Sequence, residues 1–337
     1  MDIKDTVFRL SEAYGASGSE SPAAQLALEM LREYCPDAQI INGNIIGSFG
    51  TEDSSLPLLL IDAHIDQIGM IVNYITDDGF IKFSALGGLD RRLLPAQPVI
   101  VHGKRDICGV ICSVPPHLTS GAAEVLQFDE TAIDTGMTKE ELSEIVQLGD
   151  TITFDVKCCE LVGSRVAGGA FDDRCGIASI LYALELLKDK ELKYRVKVVF
   201  SSQEELGERG AKIAAARICP DVALAVDVSF AYALGEDELK CGKLGKGPMI
   251  GIAPSLSREI SNGLIETAKA EDIPCQTEVM NGSTGTNADQ YSVGGTGAKA
   301  CTVSIPLRNM HTPAEVIDLT DVELTGQLIA AFIGRRE

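Results

Sequence analysis

The chain has no tryptophan, and aromatic residues make up only 5% of its 337 positions. Single-stranded nucleic acid is held on stacked rings, so this composition argues against a base-stacking platform. Positive charge is also scarce. Lys and Arg number 29 against 49 Asp and Glu, a formal charge of -20 that repels phosphate backbones and leaves carboxylates available for bound cations. No apolar run approaches the ~20 residues that a membrane span requires. The start, Met1-Asp2-Ile3-Lys4-Asp5, lacks the basic and then apolar pattern of a secretion signal. The expectation is a soluble, cytoplasmic protein with neither nucleic-acid nor membrane partners. No Cys-x-x-Cys occurs, and the ten cysteines are scattered and include the adjacent pair Cys158-Cys159. They read as reduced thiols, mostly buried, rather than as a zinc ribbon or a disulfide framework.

What is present points to an enzyme built on a sheet. The length suggests about two domains. Amphipathic stretches near Thr6 to Tyr14 and Pro22 to Tyr34 precede a buried strand at Leu58-Leu59-Leu60-Ile61. From about Ile68 to Leu161 the texture changes to short β-rich runs broken by Gly, Pro and charged turns, the pattern of an inserted small β domain. Within it, Pro115 to Thr138 is long and polar for a connection. After Gly168 helices and strands alternate again: a helix from Arg174 to Leu187, a strand ending at Phe200, a helix from Gly210 to Ile218, and strands at Val222 to Val226, Met249 to Ile252 and Ala300 to Ile305. Such alternation means a sheet covered by helices. The expected fold is α/β, a mixed sheet flanked by helices, divided into a discontinuous catalytic domain (1–66 and 164–337) and an inserted β-rich domain (67–163).

The candidate chemistry sits at strand ends. Glu204-Glu205 follows the strand that ends near Ser202, where open α/β sheets place their ligands, and two adjacent carboxylates there repel unless a cation sits beside them. Only four histidines exist. His64 and His311 each lie just past a strand, whereas His102 and His117 lie in the inserted domain without an acidic companion pattern and read as structural or exposed. In Asp62-Ala63-His64-Ile65-Asp66, extended backbone puts His64 and Asp66 on one side, so that the aspartate can accept the imidazole's second N–H. Asp172-Asp173 opens a helix behind Gly168-Gly169, and Asp227 ends a strand. Each of these acids alone has a bland explanation: a helix cap, a turn, a solvated pair. Together, His64, Asp172, Glu204, Glu205, Asp227 and His311 form an N and O donor set that suits two divalent ions, zinc first, with cobalt or manganese as alternatives.

Four segments also resemble a known family, the tetrahedral and glutamyl aminopeptidases, which are dinuclear zinc peptidases. They are Ala63 to Gly69, Gly168 to Gly176, Gln203 to Ala211 and Pro306 to Pro313, and the likeness runs along nearly the whole chain. The resemblance implies that Asp172 bridges two metal ions, that His64 and Asp227 complete one site and Glu205 and His311 the other, and that Glu204 is the general base, with Asp66 in the catalytic set. It also implies a cis Asp172–Asp173 peptide, short peptides as substrates, and a homo-oligomer that is a dodecamer built from dimers through the inserted domain. Gln67, Asn287 and Asn309 depart from the family, where Glu, Asp and an aromatic residue are usual, and are expected near the substrate. Two alternatives stand beside this reading: an endoglucanase-type glycoside hydrolase with two carboxylates about the sugar bond, and a non-catalytic metal-binding scaffold.

Overall fold

The computed structural model describes residues 1–118 and 125–335. Helices α1 (Ile3–Glu12) and α2 (Ser21–Arg32) lead into strands β1 (Gln39–Ile41), β2 (Asn44–Phe49) and β3 (Leu58–His64). Six strands then follow, β4 (Gly69–Ile75), β5 (Ile81–Leu86), β6 (Pro98–His102), β7 (Asp106–Ile111), β8 (Ile133–Asp134) and, after helix α3 (Lys139–Ile145), β9 (Thr151–Phe154). The rest of the chain comprises β10 (Cys159–Glu160), β11 (Arg165–Gly168), α4 (Phe171–Leu187), β12 (Arg195–Ser201), α5 (Arg209–Ile218), β13 (Val222–Phe230), β14 (Met249–Ile252), α6 (Arg258–Ala270), β15 (Gln276–Val279), α7 (Ala288–Val293), β16 (Lys299–Leu307), β17 (Glu315–Asp318) and α8 (Leu319–Ile333).

Eight strands make one mixed sheet in the order β1-β2-β12-β3-β13-β16-β14-β15. Its centre is parallel: β3 pairs in parallel with both β12 and β13, and β13 with β16. Strands covered on both faces read as continuous apolar runs, which is why Leu59 to Ile61 and Val222 to Val226 show no alternation. Helix α4 is buried along most of its length, since it lies against the sheet with α1 and α8 packed over it. The apolar core on this side includes Ile61, Ile177, Ile180, Leu224, Val303 and Leu328. A smaller core on the other face packs Leu60 and Val199 of the sheet with Ala211 of α5 and Tyr291 of α7.

The six strands from β4 to β9 close into a barrel in the order β4-β5-β8-β7-β6-β9, filled by Met70, Phe83, Val99, Val101, Ile111 and Ile152. Burial alternates along β7 because one face looks into this filling and the other outward. The long connection expected from 115 to 138 falls partly on residues outside those described; its described part includes β8, and Thr138 caps α3. Barrel and sheet meet at Tyr14, whose ring stacks on His102 at 3.8 Å, and at Glu12, which pairs with Lys157.

The central strands run further than their apolar stretches. Strand β3 continues through Asp62 to His64 and β13 through Asp227 to Phe230, so polar side chains are carried into buried positions at the sheet's carboxyl edge. Of the ten cysteines, all of them free, only Cys35, Cys175 and Cys301 are buried; the expectation of mostly buried thiols fails because most of the others lie on loops and outer strand faces.

Candidate metal centre

Parallel register brings the expected residues to one edge. His64 is the last residue of β3 and lies beside Ser201 at the end of β12. Glu204 and Glu205 follow in the turn after Ser201. Asp227 pairs with Ser304 on β16, Asp172 stands in the first turn of α4, and His311 lies in the loop that leaves β16. The backbone around them is unusual. The Asp172–Asp173 peptide is cis, and Ala170, Gln203 and His311 have φ of 57°, 54° and 86°. Left-handed backbone at non-glycine residues costs about 1 kcal/mol or more and clusters where side chains must be aimed.

Asp172 is the centre of the cluster. Its Oδ1 lies 2.9 Å from His64 Nε2, and its Oδ2 lies 3.3 Å from His311 Nε2. Glu205 Oε1 is also 3.3 Å from His311 Nε2. His64, Asp172 and Glu205 each offer a donor atom within 4.8 Å of the others, and so do His64, Asp173 and Asp227. The far nitrogens fix the tautomers. His64 Nδ1–H donates to the Asp66 carbonyl at 3.0 Å, and His311 Nδ1–H donates to the Gly88 carbonyl at 3.1 Å. A carbonyl can only accept, so each Nδ1 carries a proton, and each Nε2 facing carboxylate oxygens either carries a second proton or presents its lone pair to a cation held between them.

Either way something positive, a proton or a metal ion, must lie between ring nitrogen and carboxylate, and the electrostatics say the same. Burial pushes Glu204 up to about 9 and Asp227 up to about 8, with neighbouring carboxylates adding to it. Burial also raises Glu205. Burial opposes charge on the His311 ring, yet hydrogen bonds to Asp172 and Glu205 lift it to about 11. Asp172, which burial alone would raise, is pulled down by its hydrogen bonds to the two histidines. A buried space with more carboxylates than cations has these properties, and an imidazole-plus-carboxylate set fits first-row divalent ions such as zinc, cobalt or manganese.

Asp66 sits differently from the expectation. Its carboxylate is 3.6 Å from His64 Nδ1, and the backbone carbonyl takes that hydrogen bond instead. The carboxylate accepts the backbone N–H of Glu204 at 2.9 Å through Oδ1 and that of Glu205 at 3.1 Å through Oδ2. Asp66 thus holds the turn that presents both glutamates. Asp173, considered at first as a capping acid, accepts the His64 backbone N–H at 3.1 Å, and only glycine fits at 176, where a Cβ would come within 2.3 Å of Asp173 Oδ1.

Two of the departures have partners within the protein. Gln67 Oε1 faces the fully buried Arg174 guanidinium, and Asn287, 2% exposed, donates through Nδ2 to Asp62 at 2.6 Å and to Ser201 at 2.8 Å. Asn287 is buried, whereas Gln67 is half-buried. Asn309 is exposed, with its amide on the Ala314 carbonyl. His102 bonds Asp106 and Thr153, and His117 is exposed. One functional position was missed from the sequence: Glu315, 2% exposed, which accepts backbone N–H groups from Phe171, Asp172 and His311.

Comparison with known proteins places the chain among aminopeptidases. A lysyl aminopeptidase of Pyrococcus furiosus is 31% identical over 96% of this chain and 95% of its own. An aminopeptidase of Desulfurococcus kamchatkensis superposes with a TM-score of 0.92 at 34% identity, covering 99% of this chain and 95% of its own. The TET1 peptidase of Pyrococcus horikoshii, described as able to assemble into a tetrahedron or a large octahedral shell, superposes with a TM-score of 0.88 at 30% identity over 99% of this chain and 100% of its own. The glycoside-hydrolase alternative is therefore set aside, and no described helix is long and apolar enough to cross a membrane. Residues 43–328 match the M42 glutamyl aminopeptidases, and with these relatives the chain belongs to that family as a metal-dependent aminopeptidase.

Proposed function

We propose that this aminopeptidase removes N-terminal residues from short peptides with two divalent ions held by His64, Asp172, Glu205, Asp227 and His311. The observation that carries this is Asp172, whose two oxygens each face a different imidazole nitrogen, at 2.9 and 3.3 Å. With this placement His64, Asp172 and Asp227 would hold one ion, and Asp172, Glu205 and His311 the other. Zinc is the first choice of metal, with cobalt or manganese as alternatives.

When bound, a pair of divalent ions acidifies water and polarises the scissile carbonyl. The chain's own groups do the rest. Glu204, beside Glu205 and not itself among the ligands, takes a proton from the attacking water and returns it to the departing amine. Asp66 fixes the backbone from which Glu204 projects, so that the carboxylate does not swing away. The site is more open at His311, 29% exposed, than at His64, 2% exposed, so substrate approaches from the His311 and Glu205 side.

The barrel, within an inserted domain of residues 67–163, is the element through which copies associate, and a dodecamer built from dimers is the assembly we assign. Support comes from the assembling relatives. A cytoplasmic setting suits ten free thiols. Metal analysis with aminoacyl-anilide hydrolysis, before and after chelation, tests the reaction; full activity in protein free of divalent ions would defeat it. Light scattering tests the assembly, and a monodisperse monomer holding both ions would exclude it as the resting state.

A further inference from the structure

The two halves of the metal centre are anchored differently. On the His64 side, the ligand's backbone N–H is held by Asp173 and its Nδ1–H by the Asp66 carbonyl, both on segments at the carboxyl edge of the large sheet. On the His311 side, the anchors come from two distant places. Glu315, on β17, accepts the His311 backbone N–H through Oε1 at 3.3 Å. Its other oxygen, Oε2, accepts the backbone N–H of Phe171 at 2.7 Å and of Asp172 at 3.3 Å. The ring's Nδ1–H goes to the carbonyl of Gly88, which belongs to the loop between β5 and β6 of the barrel.

Glu315 is a tie between two ligand-bearing segments. Pairing of β11 with β17 sets Glu315 opposite Gly168, three residues before Phe171, and that places the carboxylate under the first turn of α4. His311 meanwhile sits at φ 86°, a conformation a histidine keeps only when its surroundings hold it. Without the tie, the His311 loop and the Asp172 segment have no shared acceptor. Gly88 supplies the opposite constraint: a Cβ there would come within 2.8 Å of His311 Nδ1, so the backbone lies directly against the ring.

Building on the two-ion reading above, we propose that Glu315 and the Gly88 carbonyl are the positioning groups for His311. Through that ring they set the affinity of the ion on the His311–Glu205 side more strongly than that of the ion on the His64–Asp227 side, which they reach only through the shared Asp172. One ion site is then internal to the sheet domain, whereas the other is completed by the barrel. A neutral amide at 315 cannot serve. Whichever way a glutamine sits, either the His311 N–H or the Phe171 and Asp172 pair faces an NH2 group and loses its acceptor.

The test is a metal titration that needs no turnover. Metal-free wild type, Glu315→Gln and Gly88→Ala are each titrated with Co2+, following heat and visible absorption, with near-ultraviolet circular dichroism as the check on folding. Wild type is expected to take two ions. In Glu315→Gln one step stays within about threefold while a second weakens about 10–100-fold, the usual cost of losing a group that orients a ligand. Gly88→Ala, whose backbone does not need glycine's positive φ, is expected to weaken the same second step by crowding the ring from its other side. If Glu315→Gln does not fold, Gly88→Ala decides the matter alone. Folded variants that bind both ions as wild type does, or that lose both by the same factor, overturn the proposal. Wild type that takes up fewer than two ions fails the underlying two-ion reading instead.

Discussion

Replacing Asp66 by asparagine isolates the role of the turn that carries Glu204 and Glu205. Asp66 is fully buried, and its two oxygens accept two different backbone N–H groups, from Glu204 at 2.9 Å and from Glu205 at 3.1 Å. An amide of the same shape retains one acceptor and turns its NH2 toward the other N–H. One buried donor left unpaired costs about 1–3 kcal/mol. If the turn relieves this by moving the Glu204 carboxylate ~1 Å, a misplacement of that size costs about 100-fold in rate. Asp66→Asn is therefore expected to lower kcat about 10–100-fold on an aminoacyl p-nitroanilide, with the metal content of the purified protein retained, since the Asp66 carbonyl that orients His64 is unchanged. An Asp66→Asn enzyme with full metal and unchanged kcat would refute the claim that this carboxylate positions the base.

Other expectations follow from the same geometry. Restoring the residue usual in the family at 287, Asn287→Asp, sets a second carboxylate where the Asn287 amide now lies 2.6 Å from Asp62, and is expected to destabilise the fold by about 1–3 kcal/mol in urea titration while leaving the preferred N-terminal residue unchanged. Arg174→Leu removes the guanidinium that Leu10 and Ala13 carbonyls accept from, and leaves Asp66 and Asp173 without its charge; a loss of about 3–5 kcal/mol is expected by denaturant unfolding. Chelation is expected to abolish hydrolysis and lower the Tm, and zinc restored to about 100 times its Kd should return about 2.7 kcal/mol of stability in the same scan.

Much of this was legible in the sequence because parallel strands announce themselves. The apolar runs of β3, β13 and β16 stop close to His64, Asp227 and His311, so the rim of the sheet could be found without coordinates. What misled was polarity itself. Asp62, His64 and Asp227 are strand residues, yet polar side chains read as the turn after a strand, and the ends of β3 and β13 were set short for that reason. Contacts across long sequence separations were not legible at all. Glu315 reaches Phe171 across 144 residues and Asn287 reaches Asp62 across 225, partners that become visible only once β17 and α7 are docked. The role of Asp66 was half visible: its nearness to His64 followed from extended backbone, but the backbone N–H groups it accepts belong to a turn 138 residues away.

The central claim is that Glu204 moves the proton at a site whose ions are held by other residues. Glu204→Gln tests it directly, with metal content and steady-state hydrolysis of an aminoacyl p-nitroanilide measured on the same preparation. The account predicts two ions per chain and a kcat reduced about 10²–10⁴-fold. A variant that keeps both ions and hydrolyses the substrate at the wild-type rate would contradict it.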